Sequence, residues 1–472
     1  MAFSANTIWE VRGATGSNSN GGGFVIGSGG TDYSQQAAAQ ATGTVTSSST
    51  TVTATTGIFT AAMVGNYITD GTTWKQITAY TSSTVVTVDS APSWTSVSIK
   101  VGGALATIGQ ATTNWVGGNR IYVKADGTYS ISTPILLAVS FDPTTANGGP
   151  MRIIGYKTTR GDGTFYANRP TIQMTAGTSA INQTAICGCI VQYLLIDCNN
   201  VASSIGINMA TMTNGGGVLG CQVKNFKSKG IFVSGTAMGA TVANCEVTAG
   251  VSGATYAIDN QGGHTYGCWI HDNVCPGLNI GVNGYATWNQ ILNNTGDGIA
   301  NARTPTLLNN LLYGNTGNGL LISDQFIEKM PIIKNNRFEK NGAYGIKCTG
   351  GSAAYPQSWI TDGNTFWSNT SGATNNMNNV SGINAEANQY TNSADIIPSG
   401  DPSVNAAGAN FMLNSTTGAG ASVRASGWPG IFLGDGINIG YPDMGSFQHQ
   451  DAGGGAGGGS VFGSSVIQGI YT

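Results

Sequence analysis

The chain has 472 residues, 40% of them hydrophobic and only 9% charged, with a net charge of −3 and a pI near 5.6. It is long enough for a large core, and it carries no Lys/Arg cluster, which argues against nucleic-acid binding through the phosphate backbone. No apolar run is long enough to cross a bilayer, and the opening MAFSANTIWEVR lacks a basic start followed by an apolar stretch, so neither a membrane span nor an ordinary signal peptide is expected.

Residues 1–41 begin with strand-like Thr7 to Arg12, pass through a Gly/Asn/Ser-rich stretch, and end in Tyr33 to Gln36 and a run of Ala. They are read as an anchoring or capping segment. Residues 42–109 alternate Thr and Ser with Val, as in Thr51, Val52, Thr53 and Thr84 to Val88, with turn signals at Asp70-Gly71 and Ala91-Pro92. That period of two predicts a small antiparallel β module.

Residues 110–394 form the body of the chain. A spaced signature recurs there: Cys268, Ile270, Asn273, Gly277, Leu278; Asn289, Ile291, Asn294, Gly298, Ile299; Asn310, Leu312, Asn315, Gly319, Leu320; Asn336, Phe338, Asn341, Gly345, Ile346; and Asn364, Phe366, Asn369. Weaker echoes lie upstream at Cys245 with Val247, at Cys221 with Val223, Gly230 and Ile231, and at Leu194 with Ile196 and Asn199. The internal spacing is fixed while the gaps vary, so the chain is wound into coils whose loops alone change length. Each coil is short, β-branched and punctuated by Gly and Asn, which predicts two or three short strands per coil joined by turns. Neighbouring coils would then stack at about 4.8 Å, with Ile270, Ile291, Leu312, Phe338 and Phe366 forming an interior ladder. Asn recurs because it tolerates left-handed turns and because stacked amides hydrogen-bond from coil to coil.

Of the eight Cys, Cys221, Cys245 and Cys268 hold the ladder position later taken by Asn, so they are read as stacked buried thiols. Cys187 and Cys189 share one strand face, and neither a second pair nor a His partner completes a zinc motif. His264, His271 and His449 are too far apart in sequence to form a recognisable metal motif, and no cofactor is expected. Residues 395–450, with Asp401 to Val404, Asn410 to Leu413 and Ile439 to Gln448, are read as the closing segment of the solenoid. Residues 451–472 comprise a Gly-rich linker, Gly453 to Gly459, and a terminal strand from Val461.

The stretch Gly118 to Lys124 with Gly127, Thr128 and Tyr129, then Arg152 to Tyr156 and Arg169 to Ile172, resembles the first coils of the pectate-lyase-like right-handed parallel β-helix superfamily. Asn119 and Arg120 stand where Asp is more usual. The likeness extends over about residues 118–450. It implies an all-β chain: a right-handed parallel β-helix solenoid with a small N-terminal antiparallel module and a Gly-linked C-terminal strand. The superfamily contains lyases, hydrolases, phage tailspikes and structural virion proteins, so the resemblance is specific for fold and poor for activity.

Hydrolases on this scaffold need paired carboxylates on one face, and lyases an Arg or Lys base. The densest ionic group in the repeats supplies the catalytic candidates Asp324, Glu328, Lys329 and Arg337; the alternative is that they are ordinary charges on a coil lengthened from 21 to 26 residues. Asp272 beside His271, and Asp297 before Gly298, read as turn residues. Trp269, Trp288, Tyr313, Tyr344, Trp359 and Trp367 are candidates for stacking on sugar rings.

Two readings follow. The preferred one is a structural virion protein, a phage tailspike, head fibre or capsid-associated spike without enzymatic activity, with contact to host-surface polysaccharide left open. The resemblance implies a homotrimer, and the other partners are further virion proteins. The alternative is a polysaccharide lyase or hydrolase, a depolymerase, on the same scaffold.

Overall fold

The structure is a computed structural model that describes residues 3–138, 149–164, 166–184, 188–210, 216–233, 240–281, 284–302, 305–322, 331–349, 360–375, 395–424, 426 and 445–446. The chain divides into two compact units, Met1–Asp197 with Met209–Gln222, and Cys198–Asn208 with Val223–Thr472.

In the first unit, strand Thr7–Arg12 pairs antiparallel with Gly23–Val25 and parallel with Arg120–Lys124, placing Trp9 opposite Ile121. Met151–Tyr156 and Cys189–Gln192 continue the same sheet. The strand predicted at the N-terminus is thus the first rung of a parallel stack. Thr128–Ile131, Thr171–Met174 and Leu195–Asp197 form a second row, with Tyr129, Ile172 and Ile196 in register.

Between these rungs the chain makes a closed antiparallel barrel of six strands, Ala41–Ser48, Thr51–Ala54, Tyr67–Thr69, Trp74–Ser82, Val85–Val88 and Val97–Val101. The Thr/Val alternation sets its two faces: Val52 and Ala54 are buried while Thr51 and Thr53 are exposed. Its core gathers Val45, Phe59, Met63, Ile68, Ile77, Val86, Trp94 and Ile99.

A second device pins the rungs. Glu10 is fully buried and accepts hydrogen bonds from Arg12 Nε at 3.1 Å, from Arg160 Nη2 at 2.7 Å and from the Tyr156 hydroxyl. Arg160 also reaches Asp32 at 2.9 Å, so an outward-facing carboxylate draws in the loop that follows Met151–Tyr156.

In the second unit each coil contributes one strand to each of three parallel sheets. The first contains Thr241–Ala243, His264–Tyr266, Tyr285–Thr287, Thr306–Leu308, Ile332–Lys334 and Ile360–Asp362. The second contains Glu246–Thr248, Trp269–His271, Gln290–Leu292, Leu311–Tyr313, Arg337–Glu339 and Thr365–Trp367. The third includes Lys229–Val233, Tyr256–Asn260, Leu278–Asn279, Ile299–Ala302, Leu320–Ile322, Tyr344–Cys348 and Gly372–Asn375. Val247, Ile270, Ile291, Leu312, Phe338 and Phe366 lie directly in register inside the second sheet. The last two rings stack at 5.2 Å.

The strands of the second sheet are three residues long because a left-handed residue bends the chain at each end. Asn244, Gly267, Trp288, Asn309 and Asn335 precede them, and Ala249, Asp272, Asn293, Gly314 and Lys340 follow, all at φ between 51° and 65°. After each bend except that at Ala249, which Gly250 follows, comes a buried ladder residue. Asn289 donates its backbone N–H and its amide to Asn310 Oδ1, both at 3.0 Å, and the pattern repeats from Asn310 to Asn336 and from Asn336 to Asn364. A parallel ladder links Asn273, Asn294, Asn315, Asn341 and Asn369. Upstream, Cys245 and Cys268 take the same place as buried thiols outside any disulfide, and the Cys268 N–H donates to Asn289 Oδ1 at 2.9 Å.

Beyond the coils, Asp395 accepts from the Asn364 N–H at 2.8 Å and Ile396 bridges to Thr365 in parallel. The chain then forms an antiparallel hairpin of Ser403–Asn405 and Asn410–Leu413. Cys187, most of the closing segment between residues 427 and 450, and the Gly-rich linker and terminal strand lie outside the described residues.

Candidate functional site

Because the inner positions of the second sheet are apolar, its outer positions present two rows: Glu246, Trp269, Gln290, Leu311, Arg337 and Thr365, and alongside them Thr248, His271, Leu292, Tyr313, Glu339 and Trp367. The two ends of this face differ.

The later end is covered by the hairpin. Phe411 meets Tyr313 at 4.9 Å, edge to face, and Ala406 joins Leu292 and Leu311 beneath it, with Trp269 packed at the margin. Arg337, a candidate lyase base, is fully buried here. Its Nε donates to Glu339 at 2.6 Å, Nη1 to the Phe411 carbonyl at 2.7 Å and Nη2 to Ser403 Oγ at 2.8 Å. It holds the hairpin down. Lys340 lies 4.8 Å from the Trp367 ring centroid and 3.4 Å from Asp401. Partial burial works against its charge, but the Tyr313 hydroxyl and Asp401 raise its pKa above the ordinary value.

The earlier end keeps a compact polar centre. His271 stands between two carboxylates, with Nδ1 at 2.7 Å from Asp272 and Nε2 at 3.3 Å from Glu246. Its ring stacks on Trp269 at 3.9 Å. Burial opposes the imidazolium, yet the bonds to Glu246 and Asp272 prevail and raise its pKa. This arrangement can hold and pass a proton between two carboxylates. Sequence flagged Asp272 beside His271 but not Glu246; stacking the coils on Val247 and Ile270 would have brought Glu246 alongside Trp269.

The third sheet carries a second polar group. Lys229 Nζ lies 2.5 Å from Asp259 Oδ2 and 3.7 Å from the Phe232 ring centroid. The amides of Asn279 and Gln261 donate to the same carboxylate at 2.7 and 3.1 Å. Asp259 is therefore enclosed by donors.

Asp324, Glu328 and Lys329 follow directly on strand Leu320–Ile322 but lie outside the described residues, as does Trp359. The structure thus offers no grouping of Arg337 with them. Among the sugar-stacking candidates, Trp288 is buried at a left-handed bend, φ 60°, and Tyr313 is buried beneath Phe411, so neither presents a free ring face. Tyr344 and Trp367 are half-buried. Asp297 is a turn residue, accepting from the N–H and amide of Asn318 at 2.7 Å. Among the described residues no group of three or more His, Cys, Asp or Glu side chains is placed to hold a metal ion, and no helix is long and apolar enough to cross a membrane.

Residues 281–390 match the family described as right handed beta helix region. The coils are a right-handed parallel β-helix. No curated protein matches the sequence. Similar folds occur in the pectate lyase Pel9A, 12% identical with a TM-score of 0.45 over 74% of this chain and 92% of that one. They occur also in the Agl-KA catalytic domain, 12% identical with a TM-score of 0.33 over 71% and 64%, and in ORF18 of Geobacillus virus E2, 13% identical with a TM-score of 0.24 over 56% and 55%. These likenesses carry no activity over to this chain.

Proposed function

We propose that this chain is a structural protein of a virus particle, of the tailspike, head-fibre or capsid-spike kind, in which the β-helix is a stiff body that touches host-surface glycan. The observation that carries this reading is the double asparagine ladder. It fixes each coil to the next through buried amides, and a stiff, protease-resistant body needs such register. Arg337 supports the same reading, since this candidate lyase base is buried and clamps the closing hairpin. The chain assembles, in this proposal, as a homotrimer that joins other virion proteins.

The test is immunogold labelling of purified particles with antibody raised against the chain, paired with sedimentation of the purified protein. Regular decoration of particles and a trimeric mass are expected; particles free of label would overturn the assignment. A polysaccharide-cleaving enzyme is the second reading, favoured by His271 between Glu246 and Asp272. Incubation with capsular and surface polysaccharides, monitoring reducing ends and unsaturated products, decides between them: turnover lost in Glu246→Gln would establish the enzyme.

A further inference from the structure

We propose that the outward face of the first sheet at His264, Tyr266, Tyr285 and Thr287 binds an uncharged saccharide ring. The proposal rests on the glycan-contacting reading above and names its site and sugar class. Four side chains converge there by register. His264 is directly beside Tyr285, and Tyr266 beside Thr287, on neighbouring strands. Thr265 and Ala286 between them point inward and are buried; of the other four, Tyr285 is exposed, His264 and Tyr266 are partly buried, and Thr287 is buried against His264.

The rings form an open corner. The imidazole lies 6.0 Å from each tyrosine ring, inclined at 68° to Tyr266 and 65° to Tyr285. Tyr285 is 50% exposed, whereas Trp288 and Tyr313, the aromatics favoured by sequence, are buried. A single exposed tyrosine is ordinary. Two tyrosines around an imidazole, with hydroxyls at the rim, offer both an apolar platform and hydrogen-bonding groups, which is what a pyranose with one apolar face and equatorial hydroxyls requires.

His264 is fixed by a 2.8 Å hydrogen bond between Nε2 and Thr287 Oγ1. Burial depresses its pKa, so the imidazole is neutral at pH 7 and can both donate and accept. The outward neighbours of the corner along the two rows are Thr241 and Ala243 on one side and Thr306 and Leu308 on the other. The first charge along the rows is Lys334, one coil further on. Among the described residues of these two rows no formal charge lies nearer, which favours an uncharged sugar over a uronate.

The experiment is calorimetric titration and saturation-transfer NMR of the full chain with neutral hexose, deoxyhexose and N-acetylhexosamine oligosaccharides at millimolar concentration, with oligogalacturonate as the charged control. A neutral oligosaccharide should bind, and Tyr285→Ala should weaken it at least about tenfold. Thr287→Val, which frees His264, should weaken it less, and Tyr80→Ala on the barrel surface should leave it unchanged. Because Tyr285 is half exposed, its variant should melt with the parent. Binding untouched by Tyr285→Ala, equal binding of oligogalacturonate, or no binding by any neutral probe would each overturn the site. Failure of the particle reading is seen separately, in the labelling experiment.

Discussion

The barrel and the coils bury their backbone by different means. In the barrel the strands close on themselves, so the backbone is paired around the ring and the interior can be apolar throughout: Val45, Val52, Ile68, Ile77 and Val86 are fully buried. In the coils the chain must turn a corner between sheets at every rung, and the peptide groups of that corner lie inside. Side-chain amides satisfy them, which is why Asn289, Asn294, Asn310, Asn315, Asn336 and Asn341 are fully buried. A buried position is therefore apolar in one region and polar at a fixed phase of the repeat in the other.

The largest expected effect comes from breaking the amide ladder. Asn310 accepts from Asn289 and donates to the Ala286 carbonyl at 2.8 Å and to Asn336 Oδ1 at 2.9 Å. Asn310→Leu leaves these groups buried without partners and should cost about 4 kcal/mol, at about 1–3 kcal/mol for each orphaned group. Ile77→Ala is the matched lesion in the barrel, costing about 3 kcal/mol through lost burial and a cavity. Denaturant melts give the two costs, and hydrogen exchange gives their location. If Asn310→Leu proves no worse than a conservative core swap, the corner does not depend on the ladder.

How much of this was legible follows from the same contrast. The ladder from Ile270 to Phe366, the buried Asn and Cys, and the Thr/Val module could all be read because each is a local pattern repeated at short range. The hairpin over the second sheet could not. Its anchor joins Arg337 to Phe411, 74 residues apart, and nothing near either residue marks the other. For that reason Tyr313 and Arg337 looked available from sequence. Trp288 misled for another reason: a bulky residue at a left-handed bend defies local preference, so its burial could not be inferred from alternation. His264, Tyr266 and Tyr285 went unnoticed as a group because they meet only when the first sheet, which lacks the Asn signature, is stacked in register.

A smaller effect sharpens the comparison at the bends. Ala249 adopts φ 54°, which costs a residue with a Cβ about 1–2 kcal/mol, and glycine gives back part of that through its unfolded-state entropy. Ala249→Gly should therefore stabilise the coils by about 0.5–1 kcal/mol. The same change at Val52, an extended core position of the barrel, must destabilise. Should Ala249→Gly lower the melting temperature, strain at the bends is not what limits the coils.

The smallest expected effect is a pH dependence in which two histidines of the coils oppose each other, while the barrel, which has no histidine, contributes none of this kind. His271 has a raised folded-state pKa from Glu246 and Asp272, so it binds its proton more tightly folded than unfolded. Its contribution is complete below the unfolded value near 6.5 and is lost as pH rises through the folded value. His264 has a lowered pKa from burial. Its neutral form is favoured on folding, so its penalty appears as pH falls below about 6.5. The parent should therefore show a stability maximum near pH 6.5, falling on the acid side through His264 and on the alkaline side through His271. His271→Gln should leave the His264 term, so that stability rises with pH, and His264→Gln should leave the His271 term, so that stability falls with pH. Melting temperatures of the three proteins between about pH 5 and 8 measure the slopes, and two variants sloping the same way would show that the opposed environments of these imidazoles are misassigned.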